Sequence, residues 1–293
     1  MIITTGGNSE LLAQKLAKQL KVKYSPLTIG AFPDGELYLK FNTEVKKQTL
    51  VIVQSFHPHP DQSLFDIVFA ANTAKDLGAK KVILVSPYLG YMRQDKRFNP
   101  GECVSSRVMA KLLNHSVDKV ITIDPHLHRY KSLKEVFTVP AVRLTADGLL
   151  VDYLKKNLRK VVIIGPDWES YQWAEDIAHK IGAEVTVLEK TRYNSRHVTE
   201  KMIHPITIKG KDVAIIDDII STGHTLCEAA KSAKKLGARN VYALGVHGLL
   251  VENAFDKLKK AGVKKVITTN CIEHETNRID VSSILVNELK KEK

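Results

Sequence analysis

Short apolar runs alternate with amphipathic stretches along most of this chain. Residues 81–86 (KVILVS), 119–123 (KVITI), 161–165 (VVIIG) and 213–216 (VAII) show little polar alternation, which is how strands covered on both faces read. Between such runs lie segments with apolar residues three and four apart. Leu11, Leu12, Leu16, Ala17 and Leu20 form one such face, and 61–77 is a second helix, ended by Gly78. Further strands are expected at 1–4, 24–29, 37–41, 50–53, 184–188, 241–246 and 266–269, and further helices at 146–157, 174–181, 226–236 and 281–289. The repeated order strand, loop, helix predicts an α/β protein with mainly parallel sheets.

The chain also resembles itself. AKDLGAKKVILV (74–85) matches AKKLGARNVYAL (233–244), and LKKAGVKKVITT (258–269) is a looser third copy. Each is a helix closed by glycine and followed at once by a buried strand. This predicts two similar doubly wound domains, 1–143 and 144–279, with 280–293 returning to the first.

Composition narrows the class. The 44% hydrophobic content of the 293 residues supports packed cores, and no apolar run approaches the roughly 20 residues a spanning helix needs. The opening MIITTGG has no basic segment before an apolar one, so a secretion signal is not expected. Cys103, Cys227 and Cys271 are far apart and unpaired in spacing, which argues against disulfides or zinc and for a reduced cytoplasm. The net charge of +12 comes from lysine pairs dispersed at helix ends, with only 6% aromatic residues. That pattern fits an anionic small substrate and argues against nucleic acid.

The chemistry concentrates where strands give way to loops, the usual ligand position in parallel sheets. The stretch 213–225, VAIIDDIISTGHT, runs from a buried strand through Asp217 and Asp218 into Ser221, Thr222, Gly223, His224 and Thr225 before a helix. Backbone N–H groups and the helix dipole there favour an anion, and the hydroxyls add donors. Two carboxylates would repel a bare phosphate, so a sugar phosphate fits better. Its hydroxyls, or a divalent cation, would face the acids. Other polar residues at such positions are Phe32, Asp34 and Glu36 in FPDGE, Arg93, Gln94, Asp95 and Lys96 in YMRQDK, His126 after Asp-Pro, Asp167 after VVIIGP, and Lys190 and Arg192 in EKTR.

Paired acids before a Thr/Gly-rich loop resemble the ribose-5-phosphate loop of type I phosphoribosyltransferases. FPDGE, YMRQDK, DPH, GPD, EKTR and DDIISTGHT in this order resemble the ribose-phosphate pyrophosphokinase family over nearly the whole chain. The resemblance implies two phosphoribosyltransferase-type domains, only the second with the sugar-phosphate loop. It implies transfer of the β,γ-diphosphoryl group of ATP to the anomeric hydroxyl of ribose 5-phosphate, with Mg²⁺. Phe32 would stack on adenine, and Asp34 and Glu36 would accept from its amino group or the ribose. Arg93 and Lys96 would neutralise triphosphate oxygens, beside Gln94 and Asp95. His126 and Asp167 would attend the metal, and Lys190 and Arg192 would belong to a mobile catalytic loop with a lid at 191–199. A homo-oligomer, dimer or higher, is expected.

Three departures from the family pattern stand out: Ser221 in place of an acid, His224 in place of a small residue, and DPH in place of Asp-Leu-His. The short chain points to an archaeal-type variant. An ordinary phosphoribosyltransferase would have no use for the FPDGE and YMRQDK pair. A non-catalytic regulatory homologue would not be expected to keep Lys190, Arg192, His126, Asp217 and Asp218.

Overall fold

The computed structural model describes the chain except residues 159, 193–197 and 203–205, and describes no side chain at 169 or from 188 to 205. It divides into two units. Unit 1 is Met1–Thr145 with Cys271–Glu273 and Val281–Lys293; unit 2 is Ala146–Asn270 with His274–Asp280.

Unit 1 runs β1 (Ile2–Thr5), α1 (Glu10–Leu20), β2 (Lys23–Tyr24), β3 (Leu27–Ala31), β4 (Leu37–Phe41), β5 (Thr49–Val53), α2 (Pro60–Asp76), β6 (Lys81–Ser86), α3 (Ser105–Ser116), β7 (Lys119–Ile123) and β8 (Ala141–Leu144). Six of these strands form a parallel sheet in the order β2-β1-β5-β6-β7-β8. Ile3, Leu50, Ile52, Ile83, Leu84 and Ile121 fill its centre, each contributing about 1.5–3 kcal/mol by burial. Strands β3 and β4 stand apart as an antiparallel hairpin with no buried residue. The expected strand at 24–29 is in fact two, because Pro26 separates β2 from β3. A proline has no N–H to continue a ladder.

Unit 2 runs α4 (Asp147–Asn157), β9 (Val161–Gly165), α5 (Trp168–Ile181), β10 (Val185–Arg192), β11 (Val198–Met202), β12 (Asp212–Ile220), α6 (His224–Lys235), β13 (Asn240–Gly248), α7 (Ala254–Lys260), β14 (Val263–Thr269) and β15 (Asn277–Ile279). The sheet order is β11-β10-β9-β12-β13-β14-β15, parallel except for the β10–β11 pair. The last helix, α8 (Ser282–Leu289), belongs to unit 1. Lys119 Nζ–H donates at 2.8 Å to both Glu288 and Glu292, and Gln19 donates to Ser282 Oγ at 3.2 Å.

Setting aside the β3–β4 hairpin and β11, both sheets follow one order: second strand, first, third, fourth, fifth, sixth. The expectation of two similar, mainly parallel α/β domains therefore stands. The internal repeat maps onto it, since 74–85 spans α2–β6 and 233–244 spans α6–β13, corresponding steps of the two orders. One difference bears on the site: β12 does not stop at Ile216 but continues to Ile220, paired with β13 as far as Ile220↔Gly248. The two acids therefore stand on a strand, not in a loop.

Candidate sugar-phosphate and nucleotide sites

In both sheets the chain reverses direction of build between the first and third strands, and that switch point is where open α/β sheets take ligands. In unit 2 it lies between β9 and β12. Asp167 follows β9 and caps α5: Ser170 donates to its Oδ1 through N–H at 3.0 Å and Oγ–H at 2.8 Å. Asp217 and Asp218 lie near the end of β12, half-buried, with the Asp218 N–H donating to Asp217 Oδ1 at 3.0 Å. Burial above all, then the charges of Asp218 and Asp167, holds the Asp217 carboxyl well above the usual carboxylate range. Crowded carboxylates of this kind are relieved by hydroxyl donors or by a cation. The all-oxygen set fits Mg²⁺, which takes few protein carboxylates and keeps phosphate and water ligands.

The loop that follows is built for an anion. Gly223 caps α6 with φ +71°, and a Cβ there would lie 3.3 Å from Ala254 Cβ, so the loop packs closely on α7. No side chain caps α6 and no acid occupies its first turn, which leaves its N-terminal N–H groups for a ligand. Ser221 and Thr222 are half-buried, while His224 and Thr225 are exposed. A cavity of ≈ 550 Å³ opens beside Thr222 and His224, bordered by Cys227, Lys231, Lys257 and Lys260. Glu228 and Glu252 border it as well, Glu228 pairing with Lys231 at 2.9 Å and Glu252 with Lys257 at 3.5 Å.

The corresponding crossing in unit 1 is filled. Asn8, after β1, donates through Nδ2 to the carbonyls of Ser55 at 2.8 Å and His57 at 3.0 Å, and its Oδ1 accepts from the Ser55 N–H at 3.0 Å. Gly6 N–H donates to Gln54 Oε1 at 3.1 Å. Asp66 of α2 is buried beside Gly7, and burial pushes its carboxyl up to about 6.

The nucleotide candidates of unit 1 form two groups. Phe32, Asp34 and Glu36 make the exposed tip of the β3–β4 hairpin. Phe32 N–H donates to the Glu36 carbonyl at 2.8 Å, Asp34 Oδ1 accepts from the Glu36 N–H at 3.2 Å, and the Phe32 ring meets Tyr38 edge-on at 5.7 Å. Arg93 and Lys96 are exposed on the segment between β6 and α3, Gln94 is half-buried and Asp95 is buried. His126 follows β7, half-buried, its ring edge-on to His128 with centroids 3.8 Å apart. Among the described residues no hydrogen bond, ion pair or ring contact joins the hairpin tip to Arg93–Lys96. Arg129 is a link that the sequence did not single out: it donates to Asp95 at 2.8 Å. An arginine three residues from a histidine has no pattern of its own to announce such a partner.

Lys190 and Arg192 lie on β10, opposite Glu200 and Val198 of β11. Their side chains, and residues 193–197 of the lid expected at 191–199, lie outside the described residues.

Comparison with known proteins completes the picture. Residues 1–116 match the N-terminal domain of ribose phosphate pyrophosphokinase, and residues 132–283 match the phosphoribosyl transferase domain. The ribose-phosphate pyrophosphokinase of Methanobrevibacter smithii is 33% identical, covering 99% of this chain and 100% of its own. That of Methanothermobacter thermautotrophicus is 35% identical over 96% and 97%. The crystal structure of phosphoribosylpyrophosphate synthetase from Mycobacterium smegmatis superposes with a TM-score of 0.86 at 26% identity, covering 99% of this chain and 97% of that one. Matched in both halves and along its full length, the chain belongs to the ribose-phosphate pyrophosphokinase family.

Proposed function

We propose that this enzyme transfers the β,γ-diphosphoryl group of ATP to the anomeric hydroxyl of ribose 5-phosphate, giving 5-phosphoribosyl 1-diphosphate and AMP. The observation that carries the sugar side is the unit 2 switch point, where three carboxylates adjoin an uncapped helix N-terminus. The loop N–H groups and the hydroxyls of Ser221, Thr222 and Thr225 take the 5-phosphate, with Gly223 giving the close approach and His224 at the rim. Asp217 and Asp218 accept from the ribose hydroxyls, whose protons relieve the repulsion between the acids. On the nucleotide side, Phe32 stacks on adenine and Asp34 and Glu36 accept from its amino group or the ribose. Arg93 and Lys96 neutralise triphosphate oxygens. Gln94 and Asp95 shape that loop.

The anomeric oxygen attacks the β-phosphorus in line, its proton leaves to solvent or a nearby base, and the bond to the α-phosphate oxygen breaks to release AMP. The protein aligns the reactants and offsets charge on the transferred group. Lys190 and Arg192 supply that charge from β10. Asp167 in unit 2 and His126 in unit 1 would each offer a ligand to Mg²⁺, which would supply screening of phosphate charge.

Incubation with ATP, Mg²⁺ and ribose 5-phosphate tests the reading: AMP should appear with the sugar diphosphate, and ADP in its place means single-phosphoryl transfer by a different enzyme. Among the described residues no helix is long and apolar enough to cross a membrane. A cytoplasmic homo-oligomer, a dimer or larger, is the form we infer.

A further inference from the structure

The segment between β6 and α3 is tied down at Gln94 and Asp95. Ser105 Oγ–H donates to Gln94 Oε1 at 2.9 Å, and Ser106 Oγ–H donates to the Gln94 carbonyl at 3.2 Å. The Tyr130 hydroxyl donates to the Asp95 carbonyl at 3.2 Å and meets Ser106 Oγ at 3.0 Å. Asp95 is only 5% exposed, and Oδ1 accepts from Arg129 Nη1–H at 2.8 Å. Its Oδ2 is buried with no hydrogen-bond partner. Arg129 is therefore the cation that compensates a carboxylate taken out of water, and losing it would leave that charge exposed to the full desolvation cost. The Arg129 guanidinium also lies 5.2 Å from the Phe98 ring centroid, and Lys96 Nζ lies 5.2 Å from the same ring.

These contacts join two loops that leave neighbouring strands, β6 and β7. One carries Arg93 and Lys96; the other carries His126, three residues before Arg129. We propose that Arg129 is a positioning residue for the nucleotide: its pair with Asp95, supported by Tyr130 on Ser106, sets Arg93 and Lys96 in register with His126. The assignment rests on reading Arg93, Lys96 and His126 as nucleotide-side groups. Long exposed basic side chains lose rotamer and loop freedom when they grip a phosphate chain. A loop already fixed at Gln94 and Asp95 has less freedom left to lose. Asp95 buries its carboxylate and Gln94 is held by Ser105 and Glu102, so they serve the nucleotide through the loop's shape.

The test uses the full-length protein and Arg129→Gln, Asp95→Asn and the double variant. ATP affinity is measured by calorimetry without sugar, alongside KM for each substrate, kcat and the thermal midpoint. Each single change should weaken ATP binding about tenfold while the ribose 5-phosphate KM moves less than about twofold, and the double variant should be no worse than Arg129→Gln. Arg129→Lys should recover part of the loss. Unchanged ATP affinity in Asp95→Asn beside a loss in Arg129→Gln would mean that Arg129 touches the nucleotide itself, which overturns the proposal. Additive losses, or an equal loss for both substrates, overturn it as well. If Arg129→Gln does not fold, Arg129→Lys and Tyr130→Phe serve instead, and wild-type ATP affinity in both counts against the pair. A wild-type protein that binds ATP yet forms no AMP refutes the transfer reaction and leaves the pair to be judged on binding alone.

Discussion

In unit 1 the crossing between the first and third strands is occupied by Asn8, which bridges to the carbonyls of Ser55 and His57 and accepts from Ser55. In unit 2 the same crossing, between β9 and β12, holds Asp167, Asp217 and Asp218 and leads into an uncapped helix. One topology thus serves as a plug in one unit and as a candidate sugar-phosphate site in the other. The second strand differs too. In unit 1 it is β2, two residues long; in unit 2 it is β10, eight residues long, extended past its pairing with β9 to pair antiparallel with β11. What separates the two crossings is therefore a few side chains and one strand extension, with strand order held constant.

The largest effect should come from that extension. Lys190→Ala is expected to lower kcat about a hundredfold or more by removing charge stabilisation made mostly in the transition state. Steady-state kinetics decide it, and a rise in KM at unchanged kcat removes Lys190 from the catalytic role. Next comes the plug. Asn8→Ala removes its hydrogen bonds to the Ser55 and His57 carbonyls and should cost about 2–4 kcal/mol of unfolding free energy in a denaturant titration. The KM for ribose 5-phosphate should stay at the wild-type value, because the proposed sugar site lies in unit 2.

Asp66 beside the plug gives a smaller, pH-dependent effect. Burial raises its folded-state carboxyl from 3.8 to about 6. The native state therefore binds the proton more tightly than the unfolded chain. The contribution of this group to stability is greatest below about pH 4 and is lost as pH rises through about 6, by up to about 3 kcal/mol. Asp66→Asn removes this penalty. Thermal unfolding should show the variant gaining on the wild type at pH 8 and losing that advantage near pH 4. The smallest effect belongs to Gly223→Ala, where a positive φ and a 3.3 Å approach to Ala254 meet. A cost of about 1–2 kcal/mol in stability is expected, with weaker sugar-phosphate binding.

Much of the fold was legible because its strands are buried on both faces. β6, β7 and β9 occupy the residues their apolar runs mark. Where pairing and not polarity sets the length, the sequence falls short. β12 runs four residues past its apolar run because β13 continues beside it to Gly248, and that is what places the acids on a strand. Helix α3 is not among the expected helices, although Met109, Ala110 and Leu113 form its buried stripe, because serines share that face and apolar residues also lie off it. Its buried face includes Ser106, Ala110 and Ser116, while Val108 and Leu112 are exposed. The acids and hydroxyl loop of the sugar site are contiguous in sequence and could be named from it. The Asp95–Arg129 pair spans 34 residues and depends on how two loops leave adjacent strands.

Only the unit 2 crossing should take the sugar phosphate, and titration calorimetry with ribose 5-phosphate tests this most directly. The wild-type protein should bind one sugar phosphate per chain, Asp218→Asn should abolish or strongly weaken that binding while ATP affinity stays nearly intact, and Asn8→Ala should leave it unchanged. Two sugar-phosphate sites per chain, or wild-type binding in Asp218→Asn, would contradict it.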